Sequence, residues 1–521
     1  MKLNNYIITL LFISSFLGLK AQQKSEKTVQ NILFIAVDDL KPLLSIYGET
    51  QMHTPNMDKL AKMGVTFTNA HVQQAVCGPS RASIMTAMYP DHTRVWDLHT
   101  DFRQSSPDLI SMPEYLISQG YETTAIGKIF HKGSSSKGHD GKSWSFPHLI
   151  PDNFDPNFGE PFFSYQNPAT KKRMTALKKQ AVLKGKKKGA QRSFILKNLK
   201  PSTECVDVSD EAYQDGIYTI EAIKRIKKLS KGTKPFFLAV GYQKPHLPFV
   251  APKKYWDLYK REEIKLADFQ ELSEGTPKLS YHSFGELRSY TDIDKKLKIG
   301  DKLPENKQRE LIHGYMACVS YIDAQIGKLL NALEELQLFD NTLIVLWGDH
   351  GYHLGDHTEW CKHSNFEQAT RIPLLLSGPG IAINQKVNNP VNLVDVFPTL
   401  FDLSGVPTPT KLDGKTLRPL LDNNDNTSID IDYAISQYPR QKDKMGYSLR
   451  TERYRYTEWY SNGYKSYKPY DEANIVGREL YDYETDPLET KNLIKDVTYH
   501  KEVIRLKQKL VEHLKGQYNK K

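Results

Sequence analysis

Four apolar runs along the chain have the composition of buried strands, and polar residues follow each of them. The runs are NILFIAVDD (31–39), ETTAIGKIFH (122–131), PFFLAVGYQKPH (235–246) and NTLIVLWGDHG (341–351). Continuous runs of Ile, Leu, Val and Phe are typical of strands buried on both faces, as in a largely parallel sheet. Segments with helical spacing lie between them, such as SMPEYLISQG (111–120), so the pattern predicts an α/β fold.

The polar residues after the four runs predict a functional site at one edge of the sheet. They are Asp38, Asp39, Lys128, His131, His246, Asp349 and His350. In open α/β sheets the ligand site lies beyond the carboxyl ends of the strands. A single aspartate there often caps a turn, and a single histidine near proline is often a packing residue. Several such groups at one edge favour a functional interpretation.

The pattern changes after Leu420, where an Asn/Asp-rich linker precedes Tyr-rich, partly alternating segments. MGYSLRTERYRYTEWY (445–460) and RELYDYETDP (478–487) predict a small antiparallel sheet. The last segment has helical spacing at Val503, Leu506, Leu510 and Leu514. We therefore predict an N-terminal domain over 28–425 and a C-terminal subdomain over 429–521.

The N-terminal residues have the pattern of a secretory signal peptide, which we place at 1–21. Lys2 precedes an apolar run from Tyr6 to Leu19, and the small residue Ala21 comes before Gln22. The run is short for a membrane-spanning helix, and no later segment approaches about 18 consecutive apolar residues. We expect export to the periplasm or the medium, without a membrane anchor.

The positive net charge belongs to one segment. Lys171 to Lys200 contains 12 basic residues and no acidic one, and removing them from the net charge of +10 leaves −2. The segment is either a surface that contacts a polyanion or a flexible, solvated insert.

Four cysteines, Cys77, Cys205, Cys318 and Cys361, are far too few for a disulfide-built scaffold. If Cys77 has a chemical task, at least one of the other three is unpaired. Which of them pair, if any, stays open at this point.

One cysteine lies at a predicted helix start, in AVCGPSRASIMTAMYP (75–90). Pro79 suits a first helical turn, which puts Cys77 at the N-terminus, and Arg81 adds a cationic fork about one turn on. Free amides and this guanidinium favour an anion such as a sulfate or phosphate ester. Two simpler interpretations of Cys77 are a small buried apolar residue and a thiolate nucleophile.

The stretch CGPSR resembles the sulfatase signature Cys-x-Pro-Ser-Arg, in which the cysteine is oxidised to formylglycine. NILFIAVDDL, HTPNMDKLA, FTNAH, GKIFH, KPHLPF, GDHGYHLGDH and ELYDYETDPLETKNL resemble further sulfatase blocks, in order, across 30–495. QQAVCGPSR, DHTRVWD, FFLAVGYQKPH, TEWCKHSNF and SQYPR resemble the iduronate-2-sulfatase-like branch. The family usually continues Thr-Gly where this chain has Thr86-Ala87, and because alanine is the better helix former we expect the local geometry to survive.

The resemblance implies a fold, an activity and partners. The fold is the alkaline-phosphatase-like sulfatase fold, with a large mixed, mostly parallel sheet between helices and a smaller C-terminal domain that contains an antiparallel sheet. The activity is hydrolysis of sulfate esters through the hydrate of formylglycine at position 77, with calcium as cofactor. The partners are a sulfated carbohydrate and a formylglycine-generating maturation enzyme, and we expect no nucleic acid.

The resemblance also implies a role for each site residue. The calcium ligands are Asp38, Asp39, Cys77 as formylglycine, Asp349 and His350, although zinc stays an alternative from ligand types alone. Arg81 holds the formylglycine hydrate, Lys128 and Lys362 bind sulfate oxygens, His246 protonates the leaving sugar oxygen, and His131 accepts a proton from the hydrate. The predicted sugar contacts are Arg94, Asp97, Tyr352 and His363, with Arg94 pairing with a uronate carboxylate.

The sequence leaves more than one substrate and more than one class of function open. The leading substrate is 2-O-sulfated iduronate or a related uronate, and the second is the algal polysaccharide ulvan, including 3-sulfated rhamnose. A second enzyme class is an alkaline-phosphatase-like phosphoester hydrolase with two metals. A third possibility is a non-catalytic protein that binds sulfated glycans with Cys77 unconverted.

Overall fold

A computed structural model of the chain describes residues 30–135, 138–150, 164–422, 431–461, 463–466 and 470–519. The predicted signal peptide at 1–21 lies outside these ranges. None of the helices in the described ranges is both long and apolar enough to span a membrane.

The strands of the described residues are numbered along the chain. They are β1 (Asn31–Val37), β2 (Gly64–His71), β3 (Glu122–Gly127), β4 (Thr203–Val206), β5 (Phe236–Tyr242), β6 (Phe249–Pro252), β7 (Thr342–Gly348), β8 (His353–Leu354), β9 (Trp360–Cys361), β10 (Arg371–Ser377), β11 (Gln385–Val387), β12 (Val391–Asn392), β13 (Ala434–Arg440), β14 (Lys444–Arg450), β15 (Tyr454–Ser461) and β16 (Ile475–Asp482).

The α-helices of the same ranges are numbered in the same way. They are α1 (Pro55–Lys62), α2 (Cys77–Thr86), α3 (Pro90–Thr93), α4 (Phe102–Ser105), α5 (Met112–Ser118), α6 (Pro168–Leu183), α7 (Lys188–Asn198), α8 (Gln214–Leu229), α9 (Lys253–Trp256), α10 (Glu305–Glu335), α11 (Glu367–Thr370), α12 (Val396–Ser404) and α13 (His500–Asn519).

The large sheet has the order β11-β2-β10-β7-β1-β5-β3, and β12 also pairs with β2. The four predicted strands are its neighbours β7, β1, β5 and β3, and they pair in parallel. Strand β10 is antiparallel to β2 and β7, so the sheet is mixed, as predicted. Because β7, β1, β5 and β3 are parallel, the polar residues that follow them lie at one edge.

Helices cover both faces of this sheet, which explains the continuous apolar runs. In β1, Leu33 and Ile35 belong to the core that includes residues of α8 and α10. Ile32 and Phe34, on the opposite face, belong to the core that includes residues of α2, α5 and α12. A strand that alternates between two apolar cores cannot show the alternation of hydrophobic and polar positions that marks a half-exposed strand.

A second sheet has the order β13-β14-β15-β16 and is antiparallel throughout. Helix α13 packs on it through Leu506 and Leu510, which are buried with Leu449 and Leu480. The predicted Tyr-rich antiparallel sheet and its C-terminal helix are therefore confirmed.

The basic segment Lys171–Lys200 forms most of two helices, α6 and α7, so its interpretation as a flexible insert is wrong. The side chain of Asn167 accepts hydrogen bonds from the amides of Ala169 and Thr170 and caps α6. Met174, Ala181 and Ile195 are buried. Apolar residues at these positions anchor the pair of helices on the protein.

All four cysteines are free thiols. Cys318 is buried in α10 and Cys361 is buried at the end of β9, whereas Cys205 is exposed. The question of pairing that the sequence left open is therefore answered.

Candidate active site

Helix α2 begins at Cys77, as the sequence predicted, with the preceding residue Val76 in an extended conformation. Every residue of α2 is buried, and Cys77 is 3% exposed. Its Sγ lies 3.2 Å from Nε2 of His350. The register of β1 and β7, which aligns Val37 with Gly348, brings residues 38 and 349 to the same level beside this helix start.

Three carboxylates and one imidazole converge there. The amide of Asp39 donates to Asp349 Oδ1 at 2.9 Å, and His350 Nε2 lies 3.2 Å from Asp39 Oδ1 and 3.6 Å from Asp349 Oδ1. His350 Nδ1 donates to the carbonyl of Gly351 at 2.9 Å, which leaves Nε2 free to act as a ligand. Asp39 has φ 63°, a strained backbone conformation of the kind found at functional sites.

This group fits a hard divalent cation. Ligand atoms of Asp38, Asp39, Cys77 and His350 all lie within 4.8 Å of one another, and Asp349 Oδ1 adjoins them. Buried carboxylates need compensating charge, and carboxylate oxygens are the ligands that calcium prefers. The residues predicted as metal ligands are therefore brought together.

Arg81 joins two of these carboxylates from inside the fold. Its Nε donates to Asp349 Oδ2 at 2.8 Å and its Nη2 to Asp38 Oδ1 at 3.4 Å. Its Nη1 donates to the carbonyls of Lys128 and Ile129. The guanidinium is fully buried and fixed on all sides, so it holds the start of α2 against the ends of β1, β3 and β7.

Two lysines supply positive charge beside the carboxylates of the site. Lys128 Nζ lies 2.5 Å from Asp38 Oδ2, and Lys362 Nζ lies 3.0 Å from both carboxylate oxygens of Asp39. Burial alone would raise the pKa of Asp38, but Lys128, His246 and Arg81 hold it well below its ordinary value. Burial alone would lower the pKa of Lys362, yet Asp39 and Glu286 raise it well above its ordinary value.

The sulfatase family model matches residues 30–406, which is most of the chain and includes this entire cluster. The chain belongs to the sulfatase family. It is therefore a sulfuric ester hydrolase, and the predicted resemblance is confirmed. A second model, described as the N-sulphoglucosamine sulphohydrolase C-terminal region, matches residues 355–516.

Known sulfatases resemble the chain over nearly its full length. The iduronate 2-sulfatase of Mus musculus is 35% identical and that of Homo sapiens 33%, over 91% and 92% of this chain and 93% and 94% of theirs. A solved structure in complex with D-glucosamine-2-N,6-O-disulfate superposes with a TM-score of 0.68 at 23% identity, covering 94% of this chain and 98% of the other. The predicted alkaline-phosphatase-like sulfatase fold is thereby confirmed.

His246 lies at the same edge of the sulfatase, after β5. Its Nδ1 is 2.6 Å from the carbonyl of Leu247, and its Nε2 is 3.1 Å from Glu286 Oε1. Both neighbours accept hydrogen bonds, so the ring satisfies them as an imidazolium. Burial alone would lower the pKa of His246, but Asp39 and Glu286 raise it above its ordinary value.

Glu286 belongs to the cluster, and the sequence analysis missed it. Its carboxylate lies 3.0 Å from Lys362 Nζ, 3.1 Å from His246 Nε2 and 3.4 Å from His363 Nε2. It lies just before a single 3-10 turn at Leu287–Ser289, in a stretch without strand or helix periodicity. No local signal could have identified it.

Asp39, His246 and Glu286 form a second group whose ligand atoms all lie within 4.8 Å of one another. The phosphoester hydrolase with two metals would need a second metal at such a place. The ammonium of Lys362 contacts both Asp39 and Glu286 in this group. It is held between Cys361 (φ 76°) and His363 (φ 77°), two left-handed residues that turn the loop sharply. A lysine thus supplies the positive charge that a second metal would supply, which favours a single-metal site.

His131 joins the site as a neutral imidazole. Burial and the neighbouring Lys128 lower its pKa to about 3, so the ring is neutral. The amide of Gly133 donates to His131 Nδ1 at 3.2 Å, so the proton of the neutral ring is on Nε2. This tautomer presents a donor at Nε2 before the ester binds, and the predicted acceptance of a proton from the hydrate stays a prediction.

Of the four predicted sugar contacts, only His363 has a described contact with the cluster, through its Nε2 and Glu286. The other ring nitrogen, Nδ1, lies 2.7 Å from the hydroxyl of Tyr438 in β13. Tyr352 is fully buried, stacks on Tyr315 and donates to Cys361 Sγ, so it is a core residue instead.

The other two predicted sugar contacts lie in DHTRVWD. Asp97 is partly exposed, and its Oδ1 accepts hydrogen bonds from the amides of His99 and Thr100; its role as a sugar contact stays a prediction. Arg94 is exposed and makes no ion pair or hydrogen bond with a described residue. The sequence placed these residues near the signature correctly but could not give their side-chain directions.

Ala87 ends α2 in the left-handed conformation, with φ 54°. The expectation based on helix propensity was wrong in its reason, because this position is a cap that favours glycine. Alanine there costs about 1 to 2 kcal/mol. The cap geometry survives nonetheless, since the Ala87 amide bonds to Ser83 O and its carbonyl accepts from the amides of Asp413 and Gly414.

Proposed function

We propose that this sulfatase is exported and removes sulfate esters from a sulfated polysaccharide or its oligosaccharides, with 2-O-sulfated iduronate or a related uronate as its target. The observation that carries the proposal is the group of three cations around residue 77 at a helix N-terminus: Arg81 and Lys362, which are buried, and Lys128, which is partly buried. Such a group suits an anionic ester. The iduronate 2-sulfatases among its relatives support the choice of sugar.

Residue 77 and a calcium ion supply the parts of the chemistry that unmodified side chains lack. Asp38, Asp39, Asp349 and His350 would hold the calcium, which would supply positive charge to the sulfate oxygens. Formylglycine, formed from Cys77 by a maturation enzyme, would supply a hydrated aldehyde whose hydroxyl attacks sulfur.

The side chains of the chain bind the ester and move protons. Lys128 and Lys362 bind sulfate oxygens while remaining paired with Asp38 and Asp39, so each ammonium is fixed before the ester arrives. Arg81 fixes Asp349 and Asp38 at the start of α2. His246 holds a proton on Nε2 and donates it to the leaving sugar oxygen, which is a poor leaving group without it.

Glu286 is a positioning residue for His246 in this mechanism, which predicts a pH effect. The carboxylate is one of the groups that raise the pKa of His246, so Glu286→Gln lowers that pKa. Because the acid must be protonated, activity is lost as pH rises through the pKa, and the upper limb of the pH profile should move to lower pH.

The measurement is kcat/KM against pH on a sugar sulfate, for the native enzyme and Glu286→Gln. An activated aryl sulfate serves as the control, since its departure needs little protonation and its upper limb should move less. An unchanged upper limb on the sugar sulfate would remove Glu286 from this role.

The substrate is tested by sulfate release from matched oligosaccharides, measured by ion chromatography. The panel contains a terminal 2-O-sulfated iduronate, a 6-O-sulfated glucosamine and an ulvan fragment with 3-sulfated rhamnose. We expect the highest kcat/KM on the first. A preference for rhamnose sulfate would replace the sugar assignment, and release from none of them would overturn the proposed target.

A further inference from the structure

Many exposed basic side chains lie on helices α6 and α7 and on the turn that connects them. Eight exposed basic side chains lie on the pair and its connection and form no ion pair with any described residue: Lys172, Arg173, Lys179, Lys184, Lys187, Lys188, Arg192 and Lys197. We call this set the basic face. Surface charges of proteins are usually interspersed by sign, so eight cations without an ion pair on two helices and their connection favour an anionic partner.

The burial pattern of α6 directs part of this charge outward. Met174 and Ala181, seven residues apart, are buried on one side of the helix. Lys172 and Lys179 are also seven residues apart and therefore share a side, which helical geometry places opposite the buried pair. The helix is thus attached by its apolar side and shows its lysines to solvent.

The start of α6 is anchored next to the strand that follows His246. Glu204 of β4 accepts hydrogen bonds from the amides of Gln166 and Asn167, immediately before the helix. Strand β4 pairs with β6, which begins at Phe249, three residues after His246. One end of the helix pair is therefore fixed to the segment that carries the proposed proton donor.

The end of α7 is anchored to the segment that carries Glu286. Thr291 donates its amide to the Lys200 carbonyl at 2.8 Å, and its Oγ1 accepts from the Lys200 amide at 2.9 Å. The Lys200 ammonium donates to Ser289 Oγ at 2.6 Å and lies 3.9 Å from the centre of the Tyr290 ring. Both ends are thus fixed to the chain segments that directly follow His246 and Glu286.

We propose that the basic face binds a polysulfated stretch of the same polysaccharide whose ester enters the active site. The inference rests on the proposed function for the identity of the polymer. The leaving group is the rest of the sugar chain, so the polymer extends from the side of His246 and Glu286, to which α6 and α7 are fixed. The remainder of the protein has a net charge of −2, so attraction of a polyanion comes from this segment.

The test compares two triple variants of the mature enzyme. The first is Lys172→Gln, Lys179→Gln and Lys188→Gln on the basic face. The second, a matched control, is Lys227→Gln, Lys231→Gln and Lys234→Gln, which removes the same charge. These control lysines are exposed and lie before β5, at the opposite edge of the sheet from the site.

At low salt we expect the first variant to raise KM about tenfold on a long polysulfated substrate and to leave KM on a disaccharide unchanged. The difference from the native enzyme should vanish as salt shortens the Debye length below about 8 Å. The control variant should behave as the native enzyme. Equal effects of the two variants, or equal effects on polymer and disaccharide, would overturn the proposal.

Elution from immobilised heparin separates this proposal from the proposed function. The first variant should elute at lower salt than the native enzyme and the control variant, whether or not any sugar sulfate is hydrolysed. Identical elution of the three proteins would overturn the basic face as a polyanion surface. If the first variant elutes earlier as expected but no protein releases sulfate from the tested sugars, the basic face stands and only the proposed substrate is wrong.

Discussion

Cys77→Ala should abolish turnover and leave the fold intact. The side chain is 3% exposed and its one described polar contact is with His350, so alanine fits the start of α2 without a clash. Alanine carries no group that can become a nucleophile. We expect a loss of at least about 10⁴-fold in kcat, the scale seen when a hydrolase loses its nucleophile.

The measurement is sulfate release alongside thermal unfolding. Cys318→Ala is the matched control, because Cys318 is also a buried free thiol but lies in α10 away from the described cluster. Neither variant should lose more than about 1 kcal/mol of stability, and only the first should lose activity. Full activity of Cys77→Ala would end the proposed mechanism.

Cys77→Ser should keep no more than a trace of multiple turnover. Serine retains one hydroxyl but lacks the second hydroxyl on the same carbon that an aldehyde hydrate provides. A single stoichiometric release of sugar alcohol, without continued release of sulfate, is the expected result in a rapid-quench experiment. Sustained turnover by Cys77→Ser would show that one hydroxyl is enough.

His246→Ala should slow hydrolysis of a sugar sulfate by about 10² to 10⁴-fold and slow an activated phenyl sulfate far less. The reason is that a sugar alkoxide needs a proton to leave, whereas an activated phenolate does not. Asp38→Ala is the comparison, because weakening the metal site and Lys128 should depress both substrates alike. Equal losses on both substrates for His246→Ala would remove His246 from the role of acid.

The ends of the parallel strands were predictable because a strand buried on both faces is a continuous apolar run, which stops where the polar residues begin. Asp38 and Asp349 each follow a continuous apolar run, and parallel pairing of β1 with β7 is enough to bring them together. Cys77 was predictable because Pro79 and the following residues mark a helix start. The folds of both sheets followed from the same local patterns.

Glu286 was not predictable, because its role depends on contacts made 40 and 76 positions away in the chain, with His246 and Lys362. Tyr352 shows the complementary error. It lies two positions after His350 in the sequence, yet its side chain is turned into the core. Side-chain direction in loops is set by tertiary packing, which no single stretch encodes.

Ala87 and the basic segment show how a local rule can be applied to the wrong backbone state. Helix propensity was the wrong measure for Ala87, since the residue is left-handed. Charge density suggested solvated chain for residues 171–200, but the few apolar residues of the segment, such as Met174 and Ile195, are spaced to anchor two helices. A few buried apolar residues therefore decided the structure of this segment, although its composition is mostly basic.

The central claim is that residue 77 is converted and that the converted form is the active one. The direct measurement is mass spectrometry of the tryptic peptide that carries residue 77, together with labelling by an aldehyde-specific hydrazide, on preparations that differ in maturation-enzyme content. The account predicts that the fraction of peptide carrying the aldehyde rises in proportion to specific activity, and that hydrazide labelling of this peptide is absent in Cys77→Ala. A fully active preparation in which the peptide carries only an intact thiol would contradict it.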